Sequence, residues 1–342
     1  MGVPEKTGVG VVNLGIAAVA GLLAWQGPVP GGDVHILIVS GIGGQPQYSD
    51  AFHSWGVSMV DAARDRLKIP LENINYLAER PDRDPDRIQG RSTKENVERV
   101  LAELEQRVGP TDRVFILLLG HGSANGEESR FNLPGPDITA AQFAEHLDKF
   151  PTQMVVLANT SSASGDFVSV LSGPNRVILT ATKTGFERNE TIFGRFFVEA
   201  FAQDGADVDK DERISVLEAF NYARLQVART YEADKRLLTE HAVLDDNGDG
   251  EGSTEPDPDT SDGALARALF LDRLGTVAAG PAGGDSVLVA LYKEKREIET
   301  QIQALRKVKD QIGEEDYEAQ LEELLVRLAL KNREVRTREE GR

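Results

Sequence analysis

Short, unbroken apolar runs alternate along this chain with longer stretches whose apolar positions recur every three or four residues. Val114-Phe115-Ile116-Leu117-Leu118-Leu119 is the strongest run, opened by Thr111-Asp112-Arg113 and closed by Gly120. His35 to Val39, Met154 to Ala158 and Arg176 to Ala181 are similar, and Asn75-Tyr76-Leu77 is shorter. Runs of this length, bounded by polar or glycine-rich turns, predict strands buried on both faces. Between them, Ser49 to Leu67 places Phe52, Trp55, Val57, Val60, Ala63 and Leu67 at helical spacing. Ser92-Thr93-Lys94-Glu95 has capping-box spacing and predicts a helix to about Val108. Thr139-Ala140-Ala141-Gln142 predicts another reaching about Phe150. Further helices are expected over 193–202 and from Ser215 to about Lys235. The charged run from Glu79 to Arg91 reads as a solvated loop. Strands alternating with helices imply an α/β fold with a mainly parallel sheet and right-handed crossovers.

The two ends of the chain read differently. Gly8 to Trp25 is almost wholly small or apolar, with Lys6 before it and Ala18-Val19-Ala20 as a candidate cleavage site. This predicts a signal peptide or an amino-terminal anchor over 1–30, and hence an exported or anchored protein. A buried helix of the fold is the alternative. Residues 236–285 form an acidic region, irregular where Asp, Pro, Ser and Thr dominate between Glu251 and Asp262. From 286 to 342 apolar residues return at helical spacing: Leu288, Leu291, Ile298, Ile302, Leu305, Val308 and Ile312, then Tyr317, Leu321, Leu324, Leu328 and Val335. Gly313 divides the pattern, which predicts a helical hairpin or coiled coil that covers the domain or mediates assembly.

Charge and composition remove several functions. A formal net charge of -18 opposes nucleic-acid binding, which needs basic surface facing phosphates. The chain contains no cysteine, so thiolate zinc sites, disulfides and thiol nucleophiles are excluded. The glycine turn Ser40-Gly41-Ile42-Gly43-Gly44 follows the first strand, yet it carries neither a Walker pattern nor a full dinucleotide fingerprint.

The remaining chemistry lies at strand ends and in acidic loops. His121 stands between Gly120 and Gly122 at the carboxyl end of its strand, where open α/β sheets place ligands. The next strand ends in Asn159-Thr160-Ser161-Ser162-Ala163-Ser164-Gly165, which offers hydroxyls beside that imidazole. Farther on, Asp207, Asp209, Asp211, Arg213 (through its carbonyl) and Glu218 occupy liganding places of an EF-hand-like loop for Ca2+. Glu212 stands where such loops carry glycine. Asp245, Asn247 and Asp249 begin a second loop of this kind, with Pro256 at the closing position. An acidic turn capping a helix, and a flexible acidic loop, are the respective alternatives.

The stretch Gly109 to Gly126, with Asp112, Val114-Phe115-Ile116 and Gly120-His121-Gly122-Ser123, resembles the histidine strand of legumain-type cysteine peptidases, in the wider caspase and gingipain group. Ser162-Ala163-Ser164-Gly165 stands where that family has Cys-x-Ser-Gly. The resemblance covers roughly 34–197 and implies a caspase-like three-layer sandwich within a domain spanning 31–235. It implies His121 as the catalytic histidine, Ser162 at the nucleophile position, and the N–H groups of Gly122 and Ser162 as an oxyanion hole. Ser40 and Gly41, with Thr180 and Thr182, take the places around the substrate pocket. A thiol is partly ionised at neutral pH, whereas a serine hydroxyl needs a histidine in contact, held in turn by a carboxylate. Two functions follow: a pseudopeptidase that binds peptide or protein segments in its cleft, or a hydrolase using Ser162 and His121 with Glu187, Glu190 or Asp166 as orienting acid. A calcium-responsive structural module is a third reading.

Overall fold

The computed structural model describes residues 32–126, 128–210, 213–272, seven helical residues between 291 and 305 (291, 294, 295, 298, 301, 302 and 305), and 313–340. The chain divides into Met1–Pro30 and Gly31–Arg342. The predicted leader or anchor lies outside the described residues. Among the described residues no helix is long and apolar enough to cross a membrane.

The apolar runs form the expected sheet. β1 (Val34–Ser40) is followed by α1 (Pro46–Asp61), β2 (Ile74–Ala78) and β3 (Gly90–Arg91). Then come α2 (Lys94–Arg107), β4 (Arg113–Leu119), β5 (Gly122–Ala124), β6 (Ser129–Phe131), β7 (Ile138–Thr139) and α3 (Ala140–Leu147). β8 (Met154–Asn159), α4 (Phe167–Leu171), β9 (Arg176–Thr180), α5 (Phe193–Ala202) and α6 (Val216–Ala233) complete the alternation. The seven-stranded order is β10-β9-β8-β4-β1-β2-β3, where β10 is Val243–Asp245. All neighbours are parallel except β10, which runs antiparallel to β9.

Alternate side chains of each central strand enter separate cores on the two sheet faces. Phe115, Leu117 and Leu119 join Phe193, Phe197 and Phe220 on one face. Val114, Ile116 and Leu118 join Val97, Leu101 and Phe143 on the other. This explains why the strands read as continuous apolar runs: both faces are covered by helices. The arrangement is a three-layer α/β sandwich with a mainly parallel sheet, as expected.

Several local readings need correction. The helix after Ser92 is capped by Thr93, whose side chain accepts from the Asn96 N–H, while the Ser92 hydroxyl donates to the Ser40 carbonyl. The 79–91 stretch contains β3 and the buried Ile88, so it is not wholly a solvated loop. The small antiparallel sheet β5-β6-β7, absent from the sequence reading, follows His121 directly. The acidic region after 236 supplies β10 and the short α7 (Ala264–Ala268), and so joins the main sheet.

The carboxyl-terminal helix α8 (Glu314–Glu340) packs back on the preceding helical residues. Ile298, Ile302 and Leu305 bury against Leu324, with Tyr317, Leu321 and Leu328 beside them. Lys331 reaches Glu294 at 2.6 Å and Arg327 reaches Gln301 at 3.2 Å, which fixes an antiparallel hairpin about Gly313.

Candidate functional site

The parallel pairing of β4 with β8, with Leu118 opposite Asn159, puts their carboxyl ends side by side. His121 follows one strand and Ser162 the other, so register alone brings the two turns together. The Ser162 hydroxyl lies 3.3 Å from the Gly122 nitrogen and accepts from it. It also donates weakly to the Gly122 carbonyl at 3.4 Å. Glycine is required at 122 by this approach: a Cβ there would meet the Ser162 carbonyl oxygen at 2.3 Å.

The serine turn is tightly held. Ala163 adopts φ +51, a left-handed conformation that costs a non-glycine residue about 1–2 kcal/mol. Its N–H donates to the Glu187 carbonyl at 2.8 Å, which compensates locally. The Ser161 N–H and hydroxyl both donate to the Asn159 side-chain oxygen. The Thr182 hydroxyl oxygen accepts from the N–H groups of Ser164 and Gly165. Ser162 itself is only 4% exposed.

His121 stands edge-on to Tyr48 and Phe52, with ring centroids 4.8 and 5.1 Å away. Burial pushes its imidazole below the usual range, against the Gly43 main chain and the charge of Glu190, which favour the protonated ring. No hydrogen bond joins His121 to Ser162 or to a carboxylate among the described residues. Each candidate acid has other partners. Glu190 accepts from the Tyr48 hydroxyl, and Glu187 binds the His241 imidazole at 2.8 Å. Asp166 accepts from the Gly185 N–H and the Ser129 hydroxyl.

The residues assigned to the substrate pocket are wired into the protein. The Ser40 hydroxyl donates to the Phe52 carbonyl and lies 3.1 Å from the Tyr76 hydroxyl, which has no counterpart in the sequence reading. Gly41 passes against Phe131 and Asn132, too close for a Cβ. The Thr180 hydroxyl donates to the Thr182 carbonyl. Beside Ser40 and Gly41 is a cavity of about 10 Å3 lined also by Ser49, His53, Glu79 and Arg83, room for roughly one water.

Sequence reasoning missed Glu240. It is 3% exposed and accepts from the N–H groups of Ile192 and Phe193, capping α5 from a distant segment. Burial pushes its carboxyl up to about 7, in spite of those two N–H groups. Nothing in the local sequence distinguishes it from other glutamates, because its partners are nearly fifty residues away.

The first acidic loop brings carboxylate oxygens of Asp207, Asp209 and Glu218 within 4.8 Å of one another. Asp211 lies outside the described residues. The Arg213 guanidinium pairs with Asp272 and lies 3.8 Å over the Phe270 ring, leaving only its carbonyl for a metal. Glu218 also closes a capping box with Ser215 at the start of α6, the helix-capping turn given as the alternative to a calcium loop. The second loop is an internally bonded turn. Asp245 accepts from Gly248 and Gly250, and Asn247 from Asp249. Asp262 folds back on it, accepting from the Asp246 N–H. Burial, then the charges of Asp245, Asp246 and Asp249, push Asp262 up to about 6, against that N–H.

No family model and no curated protein matches this sequence. Among solved structures, the chain matches one described as "Crystal Structure of drICE" with a TM-score of 0.40 at 8% identity. The match covers 64% of this chain and 88% of that one.

Proposed function

We propose that this chain is a caspase-like peptidase homologue of the legumain type that grips peptide segments at the His121–Ser162 cleft without cutting them. The observation that carries the reading is the Ser162 hydroxyl, 3.3 Å from the Gly122 N–H and without a hydrogen bond to His121. That N–H is the donor an oxyanion would need, and the resting hydroxyl already occupies it. A thiolate would react from such a position, because it needs no proton removed during attack. A serine hydroxyl would need the imidazole in contact and a carboxylate behind it. Neither arrangement is found among the described residues, and the chain has no cysteine to substitute. The amino-terminal segment would export or anchor the protein. Calcium at Asp207, Asp209 and Glu218 would brace the loop that leads into α6.

One observation favours the alternative, an active hydrolase. Burial lowers the His121 imidazole from its usual range, which favours the neutral, proton-accepting ring. Both readings are tested by incubating the purified protein with a peptide library and with a serine-reactive phosphonate. The pseudopeptidase predicts retained peptides, no cleavage and no label. Labelling of Ser162 that disappears in His121→Ala would overturn it. Ser162→Cys is expected to gain peptidase activity, sensitive to thiol reagents, if the rest of the cleft is intact.

A further inference from the structure

Among the described residues, one face of α8 has no partner in the hairpin. Leu325, Val326 and Leu330 are 46, 52 and 44% exposed, within two turns of one another. With Leu321 and Ala329, and with Glu318 and Glu322 at one end, the first two of them line an open groove. At 100° per residue, Glu318, Glu322, Leu325, Ala329 and Arg333 share one face. That face is turned about a third of the way round the helix from the Tyr317, Leu324 and Leu328 stripe that packs inside the hairpin. Scattered exposed leucines need no explanation, but three large apolar side chains exposed within two turns of one helix do.

Charge along the helix says what covers it. From Asp316 to Glu323 the ionisable side chains are acidic: Asp316, Glu318, Glu322 and Glu323. From Arg327 to Arg333 they are basic: Arg327, Lys331 and Arg333. A parallel copy would set like charges against like. An antiparallel copy, with a two-fold axis between Leu325 and Val326, sets Glu318 opposite Arg333 of the second copy and Leu325 opposite its Val326. By the two-fold axis that charge pair forms twice, and Leu325 and Val326 meet their symmetry mates at the centre. We propose that α8 is a self-association surface, and that two copies of this chain pair their hairpins antiparallel into a four-helix bundle. This assignment is independent of whether the His121–Ser162 cleft cuts or only binds.

The test is sedimentation velocity of the full chain over a concentration series. The wild type is expected to form a concentration-dependent dimer that weakens with added salt, since part of the attraction is between exposed charges. Leu325→Asp should give a monomer with unchanged circular dichroism, because the side chain is exposed in the single chain. Glu318→Arg or Arg333→Glu alone should raise the dimer dissociation constant about tenfold, through two symmetry-related pairs turned repulsive. The double variant Glu318→Arg/Arg333→Glu should restore wild-type association. A wild type that stays monomeric throughout overturns the proposal. So does a double variant no tighter than the singles, which would remove the antiparallel register. A thermal midpoint of Leu325→Asp below that of the wild type, compared at a concentration where both are monomeric, would assign the stripe to contact within one chain and would also overturn it.

Discussion

Glu240→Gln isolates the cost of one buried carboxyl. Glu240 is almost wholly enclosed, and its carboxyl is raised from 4.5 to about 7, chiefly by burial. Between pH 4.5 and 7 the folded state therefore keeps a proton that the unfolded chain has lost. Stability must fall as pH rises through this window, and level off above it. A shift of this size corresponds to about 3 kcal/mol, as an order of magnitude. Glutamine keeps an oxygen to accept from Ile192 and Phe193 but carries no charge, so it removes this loss. Urea unfolding at pH 5, 6, 7 and 8 is the assay, with wild type and variant compared at each pH. Other groups titrate in the same range, among them Asp262 near 6, but they cancel in the difference. The variant is expected to gain on the wild type steadily from pH 5 to 7, by about 2–3 kcal/mol in all. A difference that does not change with pH would refute the reasoning, since burial would then not be what perturbs this group.

Four further outcomes are expected. Gly122→Ala forces the Ser162 carbonyl aside and should destabilise the protein by about 1–3 kcal/mol, read by denaturant unfolding. Phe197, fully buried between Phe115, Phe193 and Phe201, should cost about 3–5 kcal/mol when replaced by alanine in the same assay. The His121 imidazole should titrate below 6.5 by NMR, and Glu190→Gln should lower its midpoint further by removing a charge that favours protonation. Calcium should raise the thermal midpoint of the wild type and leave Asp209→Asn unmoved; calorimetry without heat in the wild type would refute the site at Asp207, Asp209 and Glu218.

The central strands and long helices were legible because each is dictated by a local rule. β4 is apolar at every position after Arg113 and reads as a strand covered on both faces. Thr139 and Ser215 cap their helices through side chains three residues away, a signal contained in four letters. The elements that escaped are short. β5, β6, β7 and β10 have three residues or fewer, too few for any period to register. β5, β6 and β7 exist by pairing with one another across short loops, and β10 because the distant β9 supplies its hydrogen-bond partners. The site divides in the same way. A histidine between glycines and a serine turn were visible one by one, and their meeting follows from two adjacent parallel strands. Which hydroxyl faces which N–H, that Ser40 is tied to Tyr76, and that Glu240 caps α5 are three-dimensional facts. Sequence fixes which groups are available, and only packing decides which of them are already satisfied and which are left to react.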